Sequence, residues 1–121
     1  MKDYAKRYDE FVDAMKKGLA NAEDASTALV DISRMFIDYN TKTNEAFKVV
    51  TLEKAKLIGS VDQATLKPMT SAKVETLIES TPGNHALLDL KCDLENINSL
   101  IAACKYFQQS LSGEFDKNKT S

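Results

Sequence analysis

The sequence predicts an all-α protein: an elongated helical bundle with two long heptad-patterned helices, two short helices between them, and a coiled-coil assembly. Apolar residues recur at alternating three- and four-residue steps in the first and last thirds of the chain, which is the spacing of a coiled-coil seam. The 121 residues include only 4 Gly and 2 Pro, so helix breakers are few. A content of 43% hydrophobic and 28% charged residues is typical of a folded protein.

The first long helix is predicted at about 3–39. Its small seam residues would let another helix approach closely, and large residues occupy both ends of the seam. At 1.5 Å per residue this helix would be roughly 55 Å long. A compact globule of this chain length is only about 35 Å across, so the helix must lie along an equally elongated partner or project from the body. The seam residues are Tyr8, Phe11, Met15, Gly18, Ala22, Ala25, Leu29, Ile32 and Phe36.

Polar residues at 40–44 predict a break or kink before a short helix at about 45–58, which Gly59 and Ser60 would end. The stretch 60–69 has no helical period and contains Pro68, which predicts a loop with room for a short extended piece. Thr70 or Ser71 then caps a second short helix at about 71–79.

The last long helix is predicted at about 82–112, because Ser80 and Thr81 can cap a helix whose first residue is Pro82. Gly113 stops it. We expect one helical domain over 1–115 and a disordered tail over 116–121. The two long helices can pair with each other or with copies of themselves, and their wide seams favour both, which predicts a homo-oligomer. The seam residues of the last long helix include Leu90, Leu94, Ile97, Ile101 and Cys104.

Location and redox state follow from what the sequence lacks. No apolar run approaches the length of a membrane span, and the N-terminal stretch is charged rather than signal-like. We therefore expect a cytoplasmic protein without a membrane partner. Cys92 and Cys104 would lie about 18 Å apart on one helix, too far for a disulfide, so both are expected to be free.

The sequence offers no recognisable catalytic, metal or cofactor site. Its one histidine, His85, stands at the start of a helix, where surface or capping roles are common. No cluster of His, Cys, Asp and Glu has metal-ligand spacing, and no glycine-rich phosphate loop is present. We therefore predict no enzyme activity, no catalytic residue, no metal and no cofactor.

The middle of the chain is mildly basic, with five Lys against Glu53 and Asp62 over residues 46–74. Phosphate backbones are bound by such lysines weakly and with strong salt dependence, and an oligomer would repeat them. The alternative is that these lysines only keep the surface soluble. Phe47 could stack on a base, although we expect it to pack in the core. The candidate DNA-binding residues are Lys48, Lys54, Lys56 and Lys67.

The runs AFKVVTLEKAKLIG and TSAKVETLIESTPGNHALLDLKCDLENINSLIAACKYFQQSL resemble small recombination-locus proteins of tailed phages, and are similar to the UvsY-type recombination mediators. The resemblance covers about 70 residues. It implies a phage protein that is helical, assembles into rings, binds single-stranded DNA and loads a recombinase. Residues of the helix before the linker contribute to DNA binding in that family, and Lys54 and Lys56 match them. The linker IGSVDQATLK has no arginine where the family has one, so DNA binding is expected to be weak.

Two functions remain open at this point. The leading hypothesis is a phage-encoded oligomeric accessory protein of DNA recombination or replication, in the cytoplasm of the host cell. It would bind single-stranded DNA weakly and scaffold a recombinase, an annealing protein or a single-strand-binding protein. The alternative is a helical protein-interaction module without DNA binding, such as a structural adaptor or an inhibitor of a host factor.

Overall fold

The structure, a computed structural model, describes residues 1–113. The prediction of an all-helical protein is confirmed, and the two long helices pack together. The finer prediction of a heptad coiled coil stays a prediction. The expected tail at 116–121 lies outside the described residues. The elements are helices α1 (Asp3–Lys16), α2 (Ala22–Ile58), α3 (Ser71–Glu79) and α4 (Pro82–Ser112), with strands β1 (Val61–Asp62) and β2 (Lys67–Pro68) between α2 and α3.

The long helix expected at 3–39 is wrong as one element, because α1 ends at Lys16. Gly18 has a φ of +70° and its N–H donates to the carbonyl of Met15 at 3.0 Å. The N–H of Leu19 donates to the carbonyl of Ala14 at 2.9 Å. This pair of bonds is the Schellman motif, in which a left-handed glycine terminates a helix.

Helix α2 begins with a second local signal. The backbone N–H of Asn21 donates to Asp24 Oδ2 and the N–H of Asp24 donates to Asn21 Oδ1, both at 2.9 Å. This reciprocal capping box satisfies two N–H groups that the first helical turn leaves free. A stop signal and a start signal therefore flank residues 17–21, and they override the continuous heptad spacing across them.

The break expected at 40–44 is also wrong, because α2 runs through those residues without interruption for 37 residues. Thr43 is buried, and its hydroxyl donates to the carbonyl of Tyr39 at 2.7 Å, one turn earlier. The Lys42 Nζ lies 5.2 Å from the centre of the Tyr39 ring. These contacts satisfy polar groups inside a helix, so the low helix propensity of this stretch does not end it.

The helices expected at 71–79 and 82–112 are confirmed at both ends. Thr70 Oγ1 accepts from the N–H of Lys73, and Thr81 Oγ1 accepts from the N–H of Asn84, each at 3.2 Å. Between α2 and α3, β1 pairs antiparallel with β2, with Val61 opposite Pro68. This small ribbon is the extended piece of the expected loop.

The chain divides into two compact units, and both long helices contribute to each. Unit 1 contains Met1–Asp38 and, of the described residues, 94–113. Arg7 Nε donates to Asp31 Oδ2 at 2.9 Å and joins α1 to α2. The rings of Phe11 and Phe107 meet edge to face with centroids 6.2 Å apart. Gln108 Nε2 donates to Ser26 Oγ at 2.6 Å. The fully buried residues include Ala25, Ala28, Ile32, Ile97 and Cys104.

Unit 2 contains Tyr39–Asp93. Its core joins the second half of α2 to α3 and the start of α4 through Val50, Val74, Ile78 and Leu87, each at most 4% exposed. The side chains of Ala46, Leu57 and Met69 pack around this cluster. Burial of these apolar side chains is the main stabilising contribution in the unit.

Candidate binding surface on the second helix

The side of α2 that faces away from the unit 2 core carries an unusual share of apolar residues. Phe47 is 57% exposed, Leu52 is 63% exposed and Ile58 is 62% exposed. Val49 is 49% exposed. Single exposed apolar residues are ordinary. Here four of them fall within twelve residues of one helix, which makes this segment a candidate binding surface.

Four residues of this segment line a shallow groove of about 330 Å³: Phe47, Lys48, Thr51 and Leu52. They lie one turn apart, because Thr51 follows Phe47 by four residues and Leu52 follows Lys48 by four. The Thr51 hydroxyl donates to the Phe47 carbonyl at 2.8 Å. The groove thus places an exposed aromatic ring beside a lysine, with an apolar wall. We call these four residues the α2 groove.

The expectation that Phe47 packs in the core is wrong. In the second half of α2, Ala46, Val50 and Leu57 face the core instead. These three residues follow a 3.6-residue period that leaves Phe47, Leu52 and Ile58 outside. The sequence alone did not decide between the two sets, since both contain large apolar residues.

The four candidate lysines do not form one cluster. Lys48 lies in the α2 groove, and Lys67 is exposed on strand β2. Lys54 is tied to α3, because its Nζ lies 3.3 Å from Glu75 Oε1. Lys56 is exposed and lines a separate apolar cleft. Lys54 is therefore engaged in an ion pair within unit 2, and Lys48 and Lys56 line two different clefts.

That second cleft, of about 310 Å³, is lined by Glu53, Lys56, Leu57, Ile78 and Thr81. Glu53 Oε2 is buried and has no hydrogen-bond partner within the described residues. A Cβ atom on Gly83 would lie 3.1 Å from Glu53 Oε1, so the carboxylate packs closely against the first turn of α4. A negative charge is stabilised there by the positive end of the helix dipole. The contact with the start of α4 therefore accounts for the buried Glu53 carboxylate within unit 2.

The seam residues of the predicted assembly mostly face the interior of the chain. Those half-buried are Tyr8, Met15, Ala22, Leu29, Phe36, Leu90, Leu94 and Ile101, and those buried are Phe11, Ala25, Ile32, Ile97 and Cys104. Gly18 is exposed and lies in the connection between α1 and α2, outside any helix. Packing within one chain therefore accounts for the apolar character of most of these positions. Their role in an oligomer stays a prediction.

Burial shifts the pKa of two titratable groups in unit 1, the buried Cys104 and the half-buried Tyr8. Burial raises the pKa of the Cys104 thiol above its usual 9.0, and the nearby charge of Arg7 lowers it by less. Burial also raises the pKa of the Tyr8 phenol above its usual 10.0, with smaller contributions from Cys104 and Asp9. Both shifts favour the neutral form, which suits residues that pack rather than react.

Within residues 1–113, no group of three or more His, Cys, Asp or Glu side chains could hold a metal ion. None of the helices in the same range has a stretch long and apolar enough to cross a bilayer. The one histidine, His85, is exposed in the first turn of α4. Cys92 is exposed and Cys104 is buried, and both thiols are free.

Comparison of the chain with protein-family models, curated proteins and solved structures found no match. The resemblance to UvsY-type mediators thus stays a prediction, and the functional proposal depends on the residues of the α2 groove.

Proposed function

We propose that this chain is a phage-encoded, oligomeric accessory protein of DNA recombination or replication, which binds single-stranded DNA weakly and scaffolds a recombinase or annealing protein. The observation that carries the DNA-binding part is the α2 groove, where the exposed Phe47 ring adjoins Lys48. Proteins that bind single strands combine cationic side chains along the backbone with aromatic rings on which bases stack.

The charges limit the affinity of this binding. Lys48, Lys56 and Lys67 are exposed and pair with no acidic side chain among the described residues, whereas Lys54 is held by Glu75. Each phosphate neutralised on a single strand contributes about −0.7 to the slope of log affinity against log salt. Three lysines per chain then give a slope of about −2. Copies of the chain held together would add to this affinity by avidity.

The experiment is fluorescence anisotropy of a labelled oligothymidylate, titrated with the protein at several salt concentrations. Replacing Phe47 with Leu removes the stacking surface and retains most of the apolar volume. Base–aromatic stacking contributes about 1–3 kcal/mol per base, so binding should weaken at least fivefold. Phe47→Tyr keeps the ring and should bind like the parent.

Lys48→Gln should weaken binding and reduce the salt slope by about 0.7. Lys105→Gln is the matched control, because Lys105 is an exposed helical lysine in unit 1. An intact protein that binds no oligonucleotide even at low salt would rule out the DNA-binding part. A parent that binds the oligonucleotide with an affinity unchanged by both Phe47→Leu and Lys48→Gln would rule out the α2 groove as the DNA-binding site.

A second candidate function is a helical protein-interaction module without DNA binding. The exposed apolar residues Val49, Leu52 and Ile58 favour it, because none of them is needed to bind a phosphate backbone. A protein that binds no oligonucleotide but loses a purified protein partner on Leu52→Ser would support this second function.

A further inference from the structure

A stripe of four exposed residues on α2 has a charge order that is complementary to itself. Glu45, Val49, Leu52 and Lys56 follow one another at steps of four, three and four residues. At 3.6 residues per turn they lie within about 60° of arc, roughly 110° around the helix from the core residues of unit 2. All four are exposed, Val49 by 49% and Leu52 by 63%. We call this set the α2 stripe.

We propose that the α2 stripe is where two copies of this chain pair, with their α2 helices antiparallel about a two-fold axis. In such a pairing, residues equally far from the midpoint between Val50 and Thr51 face each other. Glu45 then faces Lys56 of the second copy, and Val49 faces Leu52. Two-fold symmetry repeats both contacts, which is the self-complementarity that an isologous interface requires.

The charge order selects the direction of the pairing. In a parallel pair in register, Glu45 would face Glu45 of the second copy, and Lys56 would face Lys56. Like charges in contact are destabilising. In the antiparallel pair both end contacts join opposite charges. Neither Glu45 nor Lys56 makes an ion pair with another described residue, so both are available for a second copy.

The spacing of the stripe is that of a helix–helix seam. Steps of four, three and four residues keep one face toward a partner helix, and the two central positions are apolar. The stripe is short, so the association should be weak and dependent on concentration. At 100° per residue, Lys48 lies about 70° and Phe47 about 170° around the helix from the middle of the stripe, so neither lies on the paired face.

This inference rests on the self-assembly part of the proposed function. It shares only Lys56 with the three lysines counted for DNA binding, and pairing would occupy that lysine. The measurement is sedimentation equilibrium of the full chain at protein concentrations of roughly 1–300 μM. This range brackets the dissociation constants expected for a weak dimer. We expect a monomer–dimer equilibrium for the parent. Leu52→Ser should abolish the dimer without unfolding the monomer, because Leu52 is exposed in the single chain. Leu66→Asn is the control, since Leu66 is 78% exposed and its φ of 55° suits asparagine.

Charge reversals test the geometry. Glu45→Lys places a lysine opposite Lys56 of the second copy, and Lys56→Glu places a glutamate opposite Glu45. Each should weaken the dimer roughly tenfold or more, because two attractive pairs become two repulsive ones. The double variant Glu45→Lys/Lys56→Glu should restore the dimer. Asp89→Lys, an exposed reversal on α4, should leave it unchanged.

Mixing the two single variants gives the sharpest result. Glu45→Lys chains and Lys56→Glu chains should form a heterodimer, because both of its end contacts join opposite charges. A parent that assembles but yields no heterodimer on mixing overturns the α2 stripe and leaves the self-assembly proposal standing. A parent that is monomeric throughout the range overturns both, while oligonucleotide binding is judged by its own assay. A loss of DNA affinity in Lys56→Glu with no change in mass also overturns the pairing.

Discussion

Two isoleucines on α2 test which face of that helix forms the core of unit 1. Ile32 is fully buried and Ile37 is 63% exposed, although only five residues separate them. Both lie inside α2 and inside unit 1. Replacing each with alanine removes the same atoms from the same helix, so the difference between the two variants reports burial alone.

The expected magnitudes follow from that burial. Removing three buried carbons at Ile32 costs about 2.5 kcal/mol in transfer free energy, and the cavity left behind adds about 1 kcal/mol. The higher helix propensity of alanine offsets about 0.4 kcal/mol of this destabilisation. The free energy of unfolding should therefore fall by about 3 kcal/mol. At Ile37, which is 63% exposed, only about a third of the transfer free energy is lost on substitution. The free energy of unfolding should therefore fall by about 0.5 kcal/mol.

Urea unfolding followed by circular dichroism at 222 nm measures both variants against the parent. A loss of 3 kcal/mol corresponds to a fall in Tm of about 12 °C for a chain of this size. The slope of free energy against urea should stay unchanged, which shows that the variants unfold from the same compact state. Equal losses at the two positions, within about 0.5 kcal/mol, would refute the orientation of α2.

Three further predictions concern local features. Gly18→Ala should destabilise by about 1 kcal/mol in the same urea assay because of the φ of +70°, whereas a continuous helix through this residue would be stabilised by the change. Gly59→Ala, which meets only ordinary contacts, should be close to neutral. An alkylating reagent should modify Cys92 rapidly and Cys104 only as the protein unfolds, and intact mass after timed quenching checks this. The raised pKa values of Cys104 and Tyr8 contribute stability that is fully present below their usual values of 9.0 and 10.0. That stability is lost as the pH rises above them, so the urea midpoint should fall with rising pH beyond about 9, and less steeply in Cys104→Ala.

The candidate surface was only partly predictable from sequence. The lysines could be named because charge is read directly from the residues. The ion-pair partners of these lysines could not be predicted, because the pair of Lys54 with Glu75 joins two helices whose approach depends on the core of unit 2. The exposure of Phe47 was missed for the same reason, since a large apolar residue on a helix is expected to be buried until another set is shown to fill the core.

The sequence by itself determined the elements whose ends depend on local chemistry. Thr70 and Thr81 cap α3 and α4 with their own hydroxyl groups, and Gly113 follows the last turn of α4 with a φ of +75°. Each of these interactions spans only a few residues, so residue type and order are sufficient to specify it. The Gly18 stop and the Asn21 start were equally local, but the continuous apolar spacing across them concealed both.

Only the tertiary structure decided which apolar face of α2 is buried. Ile32 and Val50 face the cores of their units, while Ile37 and Leu52 face solvent, yet the four are alike in hydrophobicity. The choice depends on which neighbouring helices supply complementary side chains, and these come from residues distant in sequence. The continuity of α2 through Thr43 has the same origin, because a buried position in unit 2 outweighs the weak helix preference of the residues around it.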